Sequence, residues 1–70
     1  MEKRRELGER IGDLRVAAQH TQESFSEATG LSRRTLQRIE SGTADIRYGD
    51  LLKIAAVLDE DVSEIVRLSR

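Results

Sequence analysis

Apolar residues recur along the chain at helical spacing. Leu7, Ile11, Leu14 and Ala18 follow an i, i+4, i+7, i+11 pattern, which predicts a first helix over about residues 4–18 with one apolar stripe. Thr21 is placed to N-cap a short second helix, with Phe25 and Ala28 facing inward and Gly30 ending it. Ser32 can cap a third helix that runs through Glu40 and is closed by Ser41 and Gly42. The segment TADIRYG, residues 43–49, reads as a loop and as the longest irregular piece. Beyond it Leu51, Ile54, Ala55 and Leu58 form a fourth stripe. Asp61 and Glu64 have capping-box spacing before a last helix, about residues 61–68, that carries Val62, Ile65, Val66 and Leu68. Apolar/polar alternation persists nowhere, so strand signals are absent. Proline is absent too, which leaves glycine and polar caps to punctuate the chain. The expectation is an all-α, five-helix fold with no repeat and no low-complexity segment.

The third helix raises the functional question. At about 100° per residue, Arg33, Gln37, Arg34 and Arg38 fall within an arc of roughly 140°, and Thr35, Leu36 and Ile39 lie opposite. Arginines also occupy its first turn, where the helix N-terminus is itself partially positive. Acids are the stabilising choice there. The bland reading is a solvated polar face. Two features favour a working surface: the arc holds no aspartate or glutamate, and the short preceding helix joins through a tight ATGLS turn, the geometry of a helix-turn-helix unit.

Charge changes this picture only in its distribution. Seventy residues suit one small domain spanning 1–70, and the net charge of −1 argues mildly against a nucleic-acid binder. Yet residues 32–48 carry four arginines against Glu40 and Asp45, a local +2. Residues 49–66 set Asp50, Asp59, Glu60, Asp61 and Glu64 against Lys53 alone, a local −4. Ten of the twelve basic residues are arginine, whose forked donors match phosphates and guanine edges. The chain has no cysteine, no apolar run near the roughly 18–20 residues a membrane span needs, and no signal-peptide core in MEKRRELGER. These features point to a cytoplasmic protein.

Candidate catalytic chemistry does not assemble. His20 is the single histidine and, without cysteine, lacks the companions a metal site needs, so it reads as an exposed turn residue. Ser24, Ser26, Ser32 and Thr35 have no histidine base at helical spacing and suit caps and surface. Glu23 and Glu27 form an i, i+4 acidic pair that reads as solvated surface. The five glycines match no phosphate-loop spacing. Arg4, Arg5 and Arg10 are interleaved with Glu2, Glu6 and Glu9, a salt-bridged surface pattern. No enzyme, metal or cofactor is expected.

The run TQESFSEATGLSRRTLQRIESG, residues 21–42, resembles the helix-turn-helix of the Cro/phage-repressor (Xre-like) DNA-binding family. Such domains show Thr-Gln at the start of helix two, a glycine in the turn, a polar reading face on helix three and Glu-x-Gly at its end. The likeness extends from Leu7 through Arg15 to LLKIAAVL and VSEIV, nearly the whole chain, and is specific as a set. It implies a lambda-repressor-like fold in which Arg33, Arg34, Gln37 and Arg38 project into the major groove. It places Gln22 at a phosphate, with Ser32, Thr43 and Arg47 also near the DNA backbone, and it pairs Arg15 with Glu40 in a structural ion pair. For Arg47 a phosphate contact and plain solvation both remain open, whereas Tyr48 suits core packing. Several positions depart from the family's pattern. Gln19 and His20 replace a frequent glycine and apolar residue, Ser26 an alanine, Ile46 a proline, and Asp59 and Glu60 a glycine and aliphatic residue.

The segment VSEIVRL carries more apolar residues than one short helix edge can bury. Ile65 and Val66 point about 100° apart. Either one packs inward while the other joins Leu68 against a partner, or all complete the monomer core. The resemblance implies a homodimer through this region. The resulting expectation is a sequence-specific transcriptional regulator, a repressor, binding double-stranded DNA as a homodimer on a pseudo-palindromic operator. The alternative is an antitoxin-like or adaptor protein whose main partner is another protein.

Overall fold

The computed structural model describes residues 3–67 and is helical throughout its regular structure: α1 (Lys3–Ala17), α2 (Gln22–Thr29), α3 (Arg33–Glu40), α4 (Tyr48–Leu58) and α5 (Val62–Val66). No described helix is long and apolar enough to cross a membrane. The core forms where apolar residues from every described helix converge. Ile11, Phe25, Leu36, Ile54 and Ile65 are fully enclosed, and Leu31, Ile39, Leu51 and Ala55 complete the cluster. Leu7, Leu14, Ile46, Val57, Leu58 and Val62 pack around it, half-buried. Burying a large aliphatic or aromatic side chain contributes roughly 1.5–3 kcal/mol, so this cluster is the main favourable term.

Caps fix the helix boundaries. The Thr21 hydroxyl accepts the Ser24 N–H, and the Ser24 hydroxyl accepts the Thr21 N–H, each at 3.0 Å, a reciprocal box at the start of α2. Gly30 ends α2 in the left-handed region at φ 79°, a conformation that glycine adopts without side-chain strain. Ser32 Oγ accepts the Thr35 N–H at 3.1 Å and so starts α3. Gln19 and Asp59, at φ 65° and 57°, turn the chain after α1 and α4 in the same left-handed region. These are two of the positions where the family more often has glycine.

Helix α1 lies across the C-terminal end of α3, and the crossing is close enough that Gly8 is required. A Cβ at position 8 would stand 2.8 Å from the Glu40 carbonyl oxygen and nearer still to that of Ile39. Two residues further along α1, Arg10 donates Nε at 3.0 Å and Nη2 at 2.8 Å to the Glu64 carbonyl oxygen, which ties α5 down.

Several expectations need correction. Helix α1 stops at Ala17, and Ala18 is exposed, because the chain turns at Gln19. On α2 the inward residue after Phe25 is Thr29, not Ala28: the Thr29 hydroxyl satisfies the Phe25 carbonyl at 2.7 Å, which lets a polar residue be buried. Helix α4 begins at Tyr48, so the loop is shorter than residues 43–49. Tyr48 does not fill the core but stands 68% exposed. Asp61 makes no side-chain cap hydrogen bond, so the capping box with Glu64 does not form; the Glu64 carboxylate pairs with Arg67 instead. Arg10 is a clamp on α5 rather than a member of a salt-bridged surface pattern.

Candidate nucleic-acid interface

Leu36 and Ile39 anchor α3 in the core, and that anchoring decides which side faces water. The exposed side carries Arg33, Arg34, Gln37 and Arg38. Among the described residues none of these three arginines has an acidic partner. Arg4, Arg15 and Arg67 all have one, and Arg10 is bound to a backbone carbonyl. Three adjacent cations on a rigid, well-packed helix make a positive surface with forked donors left unoccupied. Phosphates and the O6/N7 edge of guanine fit such a surface.

The one acid at the end of this helix is neutralised from behind. Glu40 receives Arg15 through Nε at 2.8 Å to Oε2 and Nη2 at 3.2 Å to Oε1, with both side chains largely buried at 11% and 14% exposure. The remaining Arg15 donor reaches the His20 carbonyl at 2.7 Å. One guanidinium therefore ties α1, the turn after it and the end of α3 together. The fork geometry neutralises a carboxylate that would otherwise oppose the positive charge of the arginine face.

Around that face the remaining residues are distributed as follows. Gln22, half-buried at the start of α2, donates Nε2 to Glu40 Oε1 at 3.3 Å and accepts from Gln37 Nε2 at 3.5 Å. It therefore lies beside the exposed face of α3 while being tied to the internal pair. Ser32 is exposed at the α3 N-terminus, its hydroxyl shared with the Thr35 amide and hydroxyl. Thr43 is exposed, but its hydroxyl donates to the Arg38 carbonyl at 3.2 Å and meets Ser41 Oγ at 3.0 Å. Its hydroxyl thus closes α3. Arg47 is exposed at the N-cap of α4, where no side chain caps the first amides.

The C-terminal residues separate. Ile65 is fully buried and belongs to the core of the monomer, so it cannot itself face a partner. Val66 is 41% exposed and borders an open apolar groove of about 380 Å³ between α1 and the loop that holds Ala44 and Ile46. Leu68 lies outside the described residues. His20 is half-buried rather than exposed: its Nδ1 lies 2.9 Å from Ser24 Oγ and its ring packs 5.4 Å from that of Phe25. Among the described residues no group of histidine, cysteine or carboxylate side chains could hold a metal ion.

A short α2, a left-handed glycine turn and an α3 that buries one side and offers arginines on the other define a helix-turn-helix DNA-binding unit. A helix-turn-helix family model matches residues 11–65, and the chain belongs to that family, of the Cro/phage-repressor (Xre-like) type: a DNA-binding transcriptional regulator rather than an enzyme. Among solved structures it is similar to the restriction-modification controller protein C.AhdI from Aeromonas hydrophila. The two are 28% identical with a TM-score of 0.88, over 93% of this chain and 98% of that one. Comparison with curated proteins gives no significant match.

Proposed function

We propose that the protein is a repressor that binds a pseudo-palindromic operator as a homodimer, with α3 in the major groove. The observation that carries this reading is the exposed face of α3, with three arginines that lack acidic partners among the described residues and Gln37 between them. Arg33, Arg34 and Arg38 take guanine O6 and N7, Gln37 takes a further base, and Gln22, Ser32, Thr43 and Arg47 flank them toward the phosphates. For Ser32 and Thr43 the phosphate contact is made alongside their capping bonds.

Size supports two copies per site. The molecule measures 31 × 22 × 21 Å, and paired reading helices need to stand about 34–36 Å apart, one turn of DNA. One copy carries a single such helix, so a two-fold operator calls for two copies side by side. Val66 and the groove beside it are the surface through which they would meet. The likeness to a restriction-modification controller protein supports a regulatory role.

The test is selection of duplexes from a randomised library near physiological salt, with the wild type beside the Arg33→Ala/Arg34→Ala/Arg38→Ala variant. The expected result is a G-containing inverted repeat enriched by the wild type alone. Affinity for it should fall with a log–log salt slope of about −0.9 for each phosphate neutralised. If the two proteins enrich alike and nothing sequence-specific emerges, the arginine face is only solvated and the partner to seek is a protein.

A further inference from the structure

We infer that Arg5, in the first turn of α1, is a further phosphate contact that holds the DNA backbone beside the C-terminal end of α3. The inference rests on α3 being the groove-facing helix. It comes from which cations the fold has already used and where an unused one stands.

Every other basic residue of α1 is occupied. Lys3 lies 3.4 Å from Glu6 Oε1 and Arg4 3.6 Å from Asp45 Oδ1, Arg10 binds the Glu64 carbonyl, and Arg15 binds Glu40. Arg5 is exposed, and among the described residues its guanidinium has neither an acidic partner nor a hydrogen bond. The interleaved acids of α1 therefore do not neutralise it.

Position gives Arg5 its use. Arg5, Gly8, Gly12 and Arg15 follow an i, i+3, i+7, i+10 spacing and share the face of α1 that meets α3. Gly8 lies against the Ile39 and Glu40 carbonyls, Gly12 lies against the Glu40 carboxylate, and Arg15 closes on that carboxylate. Arg5 carries the same face past the end of α3. A Cβ at Gly42 would stand 2.7 Å from the Arg5 Cα and 3.1 Å from its Cβ, so this side chain leaves α1 beside the turn that closes α3. Thr43, whose N–H donates to the Arg38 carbonyl at 3.0 Å, is the next residue of that turn. One arginine of the stripe thus meets an acid, and the other meets none.

The negative end of the α3 dipole favours a cation here. Any cation would answer that attraction, and it leaves the forked donors of Arg5 unused, since no α3 carbonyl takes one. A major groove that holds α3 is walled by two sugar–phosphate strands. An unoccupied guanidinium at the edge of that helix therefore meets phosphate rather than bases. Phosphates are alike under every base pair, so Arg5 adds affinity without adding sequence preference.

The experiment follows competition binding of the wild type, Arg5→Gln, Arg5→Lys and Lys53→Gln to the selected operator and its single-base variants, from about 50 to about 200 mM salt. Lys53, exposed on α4, is the control cation. Thermal unfolding checks that every variant is folded. Arg5→Gln is expected to weaken all the duplexes by the same factor and to make the log–log salt slope shallower by about 0.9. Its deficit against the wild type then shrinks about threefold across that salt range. Arg5→Lys should keep the slope, and Lys53→Gln should leave both slope and affinity unchanged.

An unchanged slope in Arg5→Gln would overturn the inference and leave Arg5 solvated. Weakening that depends on one base position would overturn it as well, by making Arg5 a reader, and an equal loss in Lys53→Gln would reduce the effect to net charge. Failure of the broader reading looks different, since the wild type would then enrich no operator at all and both would fall together.

Discussion

Replacing Gly8 with alanine tests the most confined contact in the molecule. The new Cβ would lie 2.8 Å from the Glu40 carbonyl oxygen and 3.0 Å from its carbonyl carbon, with the Ile39 oxygen closer still, whereas ordinary contact begins near 3.4 Å. Every one of these atoms is backbone, so no side chain can swing aside and α1 must lift off α3. Overpacking of this kind costs about 1–3 kcal/mol, and two rigid helices place it at the upper end. Alanine returns about 1 kcal/mol through helix propensity. The net loss is then about 2 kcal/mol, against a total of roughly 4–10 kcal/mol for a chain of this size. For so small a domain that lowers Tm by about 8–16 °C. Gly49→Ala supplies the control: no atom lies within 4 Å of its would-be Cβ and the position is helical. It should raise stability by about 0.5 kcal/mol. Both are measured by thermal and urea unfolding followed by circular dichroism, at one fixed protein concentration because dimerisation would shift Tm. Equal or greater stability in Gly8→Ala would refute the close crossing.

Other outcomes follow from the same geometry. Glu40→Ala leaves Arg15 without its carboxylate in a largely buried site and should cost about 3 kcal/mol, read by urea unfolding; a loss below about 1 kcal/mol would make the pair a surface contact. Arg10→Ala removes both bonds to the Glu64 carbonyl and should destabilise by about 1.5–3 kcal/mol. Hydrogen exchange should show the loss in α5 amides before those of α3. Asp59→Gly relieves a left-handed backbone at φ 57° and should stabilise by up to about 1 kcal/mol in thermal unfolding. Alanine at any one of Arg33, Arg34 or Arg38 should cost about 1–3 kcal/mol of operator affinity and relax one base position, measured by competition binding. Uniform weakening across sequences would mark that arginine as a phosphate contact.

What the sequence made legible was whatever has a short-range cause. Helical periodicity located all five helices, and Thr21, Gly30 and Ser32 marked the edges of α2 and α3 because capping depends on residues three or four apart. The exposed arc of α3 followed from the wheel once Leu36 and Ile39 were assigned to the core. Long-range features were hidden. Nothing local to Arg10 shows that its guanidinium reaches a carbonyl 54 residues away. Tyr48 was misplaced because the expectation followed the aliphatic residue usual at that position: as the first residue of α4 it stands exposed at the end of the helix, one turn before the buried Leu51. The Asp61 and Glu64 spacing matched a capping box, yet the spacing does not fix the rotamers, and Glu64 turned to Arg67. The link between Gln22 and Gln37 had no signal in either residue alone, since it depends on how closely α2 and α3 approach.

The uneven charge has a kinetic consequence. Helix α3 packs on α1 and α2, while the acids Asp59, Glu60 and Asp61 lie exposed in the turn between α4 and α5. A chain with net charge −1 is not drawn to DNA as a whole. Its charges are unevenly placed instead, and the field of a duplex acts in opposite senses on the arginines of α3 and on the acidic turn before contact. Encounters led by the acidic turn are repelled, and those led by the arginines are accelerated. With little overall attraction to retain it, the protein should leave non-cognate DNA quickly. A regulator built this way gains a search that is fast in orientation and short in dwell, without the broad stickiness of a basic protein.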